Sequence, residues 1–256
     1  MVDHPEVSVV IPYGPEFTSS SSLNRAKQSA IDQSVPTDFI VIEDAESRGP
    51  AWARNRGIER AEARYVAFLD ADDTWHDGKL RQQLARMDVT GAGLCVEGTD
   101  METEAFMREL YLGNLESLTS SVLIDTHQVE VTFDESLERR EDHLFMLEAA
   151  AQGGVCLVPD LFDVGRFEQS FSHGTTHRYR LRKDVEFAAK VRETVPDVRT
   201  YVNEFYSRPR CRVDPVSNTP GDVFRLILVR ASLLVICLFP VSLVCQRLRK
   251  AYASAA

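Results

Sequence analysis

The stretch Tyr65–Trp75, "YVAFLDADDTW", decides the fold, because a short apolar run ends abruptly in three acids. Residues 65–69 have the length and composition of a buried strand. Asp70, Asp72 and Asp73 follow within four positions, where their like charges repel one another. A divalent cation would relieve that repulsion, since Mg²⁺ and Mn²⁺ prefer oxygen ligands. A solvated turn or a helix cap also explains an isolated Asp-x-Asp, so the surrounding sequence has to distinguish them.

Strand-like and helix-like segments alternate through the first hundred residues. The predicted strands are residues 7–11, 39–43, 65–69 and 93–98, and the predicted helices between them are residues 23–34, 49–63 and 76–88. The serine run at 19–22 supplies an N-cap for the first helix. This alternation predicts an α/β fold with a mostly parallel sheet flanked by helices.

Polar and aromatic residues follow the first three predicted strands, namely Pro12–Tyr13, Glu43–Asp44 and Asp70–Asp72. In open α/β sheets, ligands bind in the crevice beyond the carboxyl ends of the strands. A tyrosine ring there can stack on a base, one carboxylate can accept from a base or a ribose, and an acid cluster can hold a metal. The pattern therefore predicts a nucleotide site.

The second half of the chain has a looser order. Its predicted elements are strands at 117–125 and 155–160, a helix between them and a second helix at 179–193. The first of these helices carries Leu144, Leu147 and Ala151 on one side and ends at Gly153–Gly154. We expect loops around 100–120, and loops within 160–220 on either side of the second helix, to determine specificity.

The net charge of -10 argues against a nucleic-acid partner, because phosphates would be repelled. The five cysteines are scattered and include no C-x-x-C pair, which fits buried thiols in a reducing compartment. The first residues, "MVDHPEVSVVIP", lack the basic and long apolar regions of a signal peptide.

The end of the sequence differs in composition from the rest. Residues 226–245 contain only one charged side chain, Arg230, and are followed by the basic stretch "QRLRK". Twenty helical residues match the thickness of a bilayer core, so we predict a membrane-associating helical tail, residues 222–256, after a catalytic domain, residues 1–221. Pro240 favours a re-entrant or interfacial element over a simple span, and a buried helix is the alternative.

Several of these motifs together resemble the family 2 inverting glycosyltransferases. The similar stretches are "VSVVIP", "IVIED", "ARNRGIERAEARYVAFLDADDTW" and "TSSVLI…FDESLERREDHLFMLEAAAQGG", which lie between residues 6 and 172. The resemblance implies a GT-A fold, a Rossmann-like α/β domain. It also implies that the pair Glu141–Asp142 opens a helix in the acceptor-binding half.

The resemblance implies a role for each motif residue. Those that would contact the nucleotide sugar are Pro12, Tyr13, Asp44, Arg54, Asp70 and Arg166. Asp72 would bind a divalent cation, Mn²⁺ or Mg²⁺, on the diphosphate of the donor. Asp142 would be the catalytic base, with Glu141 beside it, because the dipole and free amides at a helix N-terminus keep a carboxylate ionised. As an alternative, Asp142 only caps the helix or pairs with Arg139 or Arg140.

Three departures from the family pattern affect these expectations. The first loop is "YGPEF" where the family has Tyr-Asn, and the second is "EDAES" where the family has "DDGS". In "GRFEQSFSH" a glutamate, Glu168, stands near Arg166 and His173, where the family has a basic or neutral group. Asp73 has no role in the pattern, and a cap for the following helix is the simplest one.

The sequence thus predicts an enzyme at the cytoplasmic face of the cell membrane. It would transfer one sugar, with inversion and with a divalent cation, from a UDP- or GDP-linked donor to a lipid-linked or other membrane-associated acceptor. The alternative is a non-catalytic nucleotide-sugar-binding subunit of a glycan-assembly complex. A nucleotidyltransferase and an NAD-dependent dehydrogenase fit less well, because no glycine-rich phosphate loop follows the first strand.

Overall fold

A six-stranded sheet lies at the centre of the computed structural model, which describes residues 5–115, 119–164 and 177–195. The strands are β1 (Val7–Tyr13), β2 (Thr37–Glu43), β3 (Tyr65–Phe68), β4 (Thr74–Trp75), β5 (Leu94–Glu97), β6 (Leu123–Asp125), β7 (Val155–Val158) and β8 (Phe162–Asp163). The helices are α1 (Ser20–Ile31), α2 (Pro50–Ile58), α3 (Lys79–Thr90), α4 (Thr103–Tyr111), α5 (Glu141–Gly153) and α6 (His177–Thr194).

The strand order in the large sheet is β2-β1-β3-β6-β5-β7, and β4 pairs with β8 in a separate two-stranded sheet. Strand β1 is parallel to β2 and β3, and β5 is parallel to β7. Only β6 runs antiparallel to both of its neighbours among the described strands of this sheet. The prediction of a mostly parallel α/β sheet is therefore confirmed, with one reversed strand near its middle.

The carboxyl ends of β1, β2 and β3 lie at one edge of the sheet, as the sequence predicts. Tyr13 is in register with Glu43, and the backbone N–H of Asp44 donates to the carbonyl of Tyr13 at 2.8 Å. On the other side of β1, the N–H of Leu69 donates to the carbonyl of Val10 at 3.0 Å. This pairing continues β3 to the residue before the aspartate cluster and places that cluster beside the end of β1.

Helix α1 begins as predicted and ends earlier. The Ser19 hydroxyl accepts from the N–H of Ser22 at 3.2 Å, which confirms the N-cap in the serine run. The predicted helix continued to residue 34, but α1 ends at Ile31. Gln33 leaves the helix because its side chain is buried and donates to the carbonyls of Ser29 and His76 at 3.1 and 2.9 Å.

Helix α2 is also shorter than the predicted range of 49–63, since it ends at Ile58. Its face packs tightly on β1, where a Cβ atom at Gly57 would lie only 2.1 Å from a methyl carbon of Val10. The N–H of Arg60 donates to the carbonyl of Gly57 at 3.1 Å, which tightens the last turn. The chain can then reverse into β3.

Helix α5 begins at Glu141 and ends at Gly153–Gly154, as the sequence predicts. Leu144 and Leu147 are buried, whereas Ala151 is exposed, so its predicted place on the buried face is wrong. Buried side chains at 145, 146, 149 and 150 instead complete a broad apolar face. The larger buried side chains of this face, Leu144, Phe145, Met146 and Leu147, each contribute roughly 1.5–3 kcal/mol to stability.

Helix α4 corrects the expectation that residues 100–120 form a loop. Phe106, Met107, Leu110 and Tyr111 are buried and follow the helical period. The predicted strand at 117–125 is also shorter, because Thr119–Ser121 form a 3₁₀ turn and only β6 is extended.

The predicted tail at 222–256, its apolar part at 226–245 and the boundary after residue 221 lie outside the described residues. Among the helices of the described part of the chain, none combines the length and apolar character needed to cross a bilayer.

Candidate active site

The side chain of Asn55 joins the two parts of the chain that carry the predicted site residues. Asn55 is buried in α2, where its Oδ1 accepts from the N–H of Phe133 at 2.8 Å and its Nδ2 donates to the carbonyl of Phe133 at 2.9 Å. The ring of Phe133 stacks on Phe145 of α5 with centroids 4.1 Å apart. These contacts hold the start of α5 beside α2 and the edge of the sheet.

Arg54, the neighbour of Asn55, links the carboxylates of the site. It is 4% exposed, and its Nη2 lies 2.7 Å from Oδ1 of Asp70 while its Nη1 lies 3.5 Å from Oε1 of Glu141. Burial alone would lower the pKa of Arg54, but the charges of Asp70 and Glu141 outweigh it, so the pKa is raised. Arg54 is therefore a fixed positive charge between residues that follow β3 and residues that begin α5.

Asp70 and Asp72 occupy different environments. Asp70 has its ion pair with Arg54, and its backbone N–H donates to the Ser120 hydroxyl at 3.0 Å. The pKa of Asp72 is raised, first by burial and then by the negative charge of Asp70. Arg54 thus relieves part of the repulsion in the aspartate cluster, while Asp72 remains under a net negative influence.

Asp73 is not a helix cap. It is buried, with 5% of its surface exposed, and its Oδ2 accepts from the Ser120 hydroxyl at 2.5 Å. Helix α3 begins six residues later, after Gly78, which corrects the expected capping role. The indole N–H of Trp75 donates to the carbonyl of Ser120 at 2.8 Å. The 3₁₀ turn around Ser120 therefore holds the aspartate loop in place from three positions.

A buried lysine lies next to this loop. Lys79 is fully buried, and its Nζ donates to Oε1 of Gln83 at 2.6 Å and lies 4.1 Å from the centroid of the Trp75 ring. Burial lowers the pKa of Lys79 to about 7, although the negative potentials of Cys95 and Glu97 oppose the shift. The ring of Trp75, which follows the loop, thus packs against the buried amine of Lys79.

The pKa values of Asp142 and Glu141, in the first turn of α5, are shifted in opposite directions. Burial would raise the pKa of Asp142, but hydrogen bonding to His143 and the charges of His143 and Arg54 lower it below its ordinary value. The pKa of Glu141 is raised, first by burial and then by the charge of Asp142. Asp142 is accordingly the better ionised of the two acids.

The residues predicted to bind the base lie at the edge of the sheet, but Asp44 has a structural role as well. Pro12 and Tyr13 end β1 and are partly exposed. The carboxylate of Asp44 accepts from the N–H groups of Arg48 at 2.9 Å and Gly49 at 2.7 Å. Asp44 thereby shapes the loop that leads into α2. The predicted contacts of these residues with a base stay predictions.

Two further predicted positions, Arg166 and His173, lie outside the described residues. For the metal, no three His, Cys, Asp or Glu side chains of the described part of the chain converge to form a complete site. Mg²⁺ and Mn²⁺ in phosphate-binding sites commonly take one or two carboxylates and complete their shell with phosphate and water oxygens. The raised pKa of Asp72 beside Asp70 fits a position where a cation would relieve negative charge.

Sequence reasoning missed three contributions to the site. The Arg54–Asp70 ion pair is a long-range contact between α2 and the end of β3, for which the sequence carries no direct signal. Ser120 lies 47 residues beyond Asp73, so no local pattern connects them. His143 stands directly after Asp142 in the sequence, and this adjacency was the one signal that it could contact the predicted base.

Part of the chain that carries these motifs matches a known protein family. Residues 21–120 match the model of the family described as Glycosyl transferase family 2. The match includes α2, β3 and the aspartate loop and ends at Ser120, before α5.

Two curated relatives and one solved structure are similar to the chain. The succinoglycan biosynthesis protein ExoO of Rhizobium meliloti (strain 1021) is 26% identical, over 60% of this chain and 58% of its own length. The UDP-Glc:alpha-D-GlcNAc-diphosphoundecaprenol beta-1,3-glucosyltransferase WfgD of Escherichia coli is 33% identical, over 32% of this chain and 40% of its own length. The chain therefore spans about half the length of these relatives.

The solved structure is the mannosyltransferase PcManGT from Pyrobaculum calidifontis in complex with GDP-Man and Mn²⁺. It aligns with a TM-score of 0.51 at 14% identity and covers 100% of this chain and 77% of its own. At this level of identity the likeness concerns the fold, which agrees with the GT-A type that the sequence resemblance implies.

Proposed function

We propose that this chain, which contains a glycosyltransferase family 2 domain, is a metal-dependent inverting glycosyltransferase. It would transfer one sugar from a UDP- or GDP-linked donor to a lipid-linked or other membrane-associated acceptor. The observation that carries the proposal is the position of Asp142, a carboxylate with a lowered pKa at the N-terminus of α5. Arg54 joins this helix start to Asp70 through its ion pair with Glu141. The name of WfgD supports a lipid-linked acceptor, and the name of ExoO supports a role in polysaccharide biosynthesis.

In the proposed reaction Asp142 is the general base. Its carboxylate takes the proton of the acceptor hydroxyl, while the hydroxyl oxygen forms a bond to the anomeric carbon of the sugar. The bond between that carbon and the diphosphate oxygen breaks on the opposite side, and its electron pair leaves with the diphosphate. Attack opposite the leaving group inverts the configuration of the anomeric carbon.

Asp72 would hold the divalent cation, with Asp70 beside it. When bound, the cation supplies positive charge that stabilises the departing diphosphate. PcManGT, which was solved in complex with GDP-Man and Mn²⁺, supports a divalent cation through the shared fold. The cofactor and its ligands on this chain are part of the proposal.

The remaining residues would bind and orient the donor. The base would bind at the ends of β1 and β2, against Pro12, Tyr13 and Asp44. Asp70 would face the ribose. Arg54 is buried and forms ion pairs with Asp70 and Glu141, so we assign it the positioning of these two acids. Its Nε and Nη1 have no hydrogen-bond partner within the described residues, so orientation of the nucleotide by Arg54 stays part of the proposal. Arg166 is retained as a donor contact on the sequence resemblance alone.

The acceptor proposed here requires access to a membrane. We assign that access to the apolar stretch 226–245 and place the enzyme at the cytoplasmic face of the cell membrane. Removal of residues 222–256 is expected to move the protein from the membrane to the soluble fraction after cell lysis. An unchanged distribution between the two fractions would refute the anchor.

The activity can be tested with the substrates that the relatives' names provide. UDP-glucose and GDP-mannose are incubated with the full chain, Mn²⁺ and α-D-GlcNAc-diphosphoundecaprenol, and sugar transfer is measured by the radiolabel in the lipid fraction. We expect transfer from one donor by the wild type and by Asp88→Asn, an exposed control on α3, but none by Asp142→Asn. Equal transfer by Asp142→Asn would exclude it as the base, and donor binding without turnover by the wild type would favour a binding subunit.

A further inference from the structure

The residue after the proposed base is in direct contact with it. The backbone N–H of His143 donates to Oδ1 of Asp142 at 2.8 Å, and the ring Nδ1 of His143 lies 2.9 Å from the same oxygen. An ionised carboxylate can only accept hydrogen bonds, so the proton of the imidazole must be on Nδ1 for this contact to be favourable. One oxygen of Asp142 therefore receives two N–H donors from His143.

The second oxygen of Asp142 is in a different situation. Within residues 5–115, 119–164 and 177–195, no donor forms a hydrogen bond with Oδ2. The side chain of Asp142 keeps 20% of its surface exposed. The two oxygens are thus unequal, because Oδ1 is occupied by His143 while Oδ2 is available to a hydroxyl that approaches from the solvent side.

The imidazole itself is held by packing. The side chain of His143 is 18% exposed, and its ring meets that of Phe187 of α6 edge to face, with centroids 6.4 Å apart and planes at 88°. Phe187 is fully buried and also stacks on Tyr111 of α4, with centroids 5.8 Å apart. A ring fixed in this way can keep its Nδ1 at one place and prevent rotation of the Asp142 carboxylate.

We propose that His143 is a positioning residue, which binds Oδ1 of Asp142 through its Nδ1–H and so leaves Oδ2 as the oxygen that accepts the proton. The inference rests on the proposed function, since it assigns a partner to the proposed base. Loss of the Nδ1 donor would let the carboxylate rotate away from the acceptor, and a displacement of about 1 Å in a reacting group can slow a reaction by roughly 10²-fold.

The test compares three substitutions of His143 that separate the hydrogen bond from the packing. His143→Asn keeps an N–H donor near the position of Nδ1 but loses the ring. His143→Phe keeps a ring against Phe187 but has no donor, and His143→Ala has neither. Because the acceptor is not identified, the probe is hydrolysis of UDP-glucose or GDP-mannose with Mn²⁺, where water takes the place of the acceptor hydroxyl.

We expect kcat to fall about 10–100-fold in His143→Phe and His143→Ala, with KM for the donor unchanged, and to stay within about 3-fold of the wild type in His143→Asn. A role in packing alone predicts the opposite order, with His143→Phe active and His143→Asn impaired, and that result would overturn the inference. Thermal unfolding of each variant shows whether a lower kcat results from loss of the folded protein.

A second measurement does not depend on turnover. The ¹⁵N chemical shifts of the His143 ring in the wild type report which nitrogen carries the proton, and the inference requires protonated Nδ1. A ring protonated only on Nε2 would overturn it. A wild type that turns over neither donor would instead count against the proposed function, while normal kcat in His143→Phe would count only against the role of His143.

Discussion

Replacement of Lys79 by methionine tests how the interior supports the aspartate loop. Lys79 has no exposed surface, and burial lowers its pKa from 10.5 to about 7. Methionine has similar length and no charge, so Lys79→Met removes the titration while it preserves most of the packing. The variant also loses the hydrogen bond to Gln83 and the contact with the Trp75 ring. The pH dependence of the stability difference separates the titration of Lys79 from these lost contacts.

The expected pH dependence follows from proton linkage. Between pH 7 and 10.5 the unfolded state binds the proton of Lys79 more tightly than the folded state, so the free energy of unfolding of the wild type increases with pH. With these pKa values, the cost of burying Lys79 is about 4 kcal/mol at pH 7 and about 2 kcal/mol at pH 9. The wild type should therefore gain about 2 kcal/mol relative to Lys79→Met between pH 7 and pH 9.

The assay is urea unfolding followed by circular dichroism at several pH values in this window. Lys190→Met is the matched control, because the hydrogen bond from Lys190 to Asp134 raises the pKa of Lys190 and keeps it protonated throughout. The difference between the wild type and this control should not change with pH. A flat difference for Lys79→Met as well, or one that falls with rising pH, would refute the assigned charge state of Lys79.

Two further predictions concern hydrogen bonds in the fold. Burial would raise the pKa of Asp125, but bonds from Arg64 and Gln128 lower it to about 2. Because the pKa of Asp125 is lower in the folded than in the unfolded state, the wild type should have the larger free energy of unfolding above about pH 4. Its difference from Asp125→Asn, measured by urea unfolding, should disappear as the pH falls to about 2. A difference that stays constant with pH would contradict the prediction. Ser120→Ala removes the hydroxyl bonds to Asp70 and Asp73 and should cost roughly 1–3 kcal/mol in the same assay, against less than about 0.5 kcal/mol for the exposed control Ser20→Ala. Equal costs for the two serines would show that Ser120 does not hold the loop.

The first three strands and the start of α5 could be predicted because their signals are local. Short apolar runs followed by polar residues mark the ends of β1, β2 and β3, and parallel strands bring those ends together. Glu141–Asp142 was placed at a helix start by the resemblance, and the structure confirms this position. These elements alone locate the candidate site.

The remaining features depend on contacts that are distant in sequence. A three-residue strand such as β6 has no pattern that indicates its direction, so its antiparallel pairing could not be anticipated. The bonds of Ser120 to the aspartate loop and of Arg54 to Asp70 likewise require the fold. Helix α4 is different, because Phe106 and Leu110 already carry a helical period that was overlooked.

The most direct test of the central claim is the configuration of the transferred sugar together with its dependence on Asp142. With an α-linked donor such as UDP-glucose, the product formed by the wild type is analysed by NMR at the anomeric carbon. We expect a β-linked product and a loss of roughly 10²–10⁴-fold in kcat for Asp142→Asn. An α-linked product, or near-normal kcat in Asp142→Asn, would contradict it.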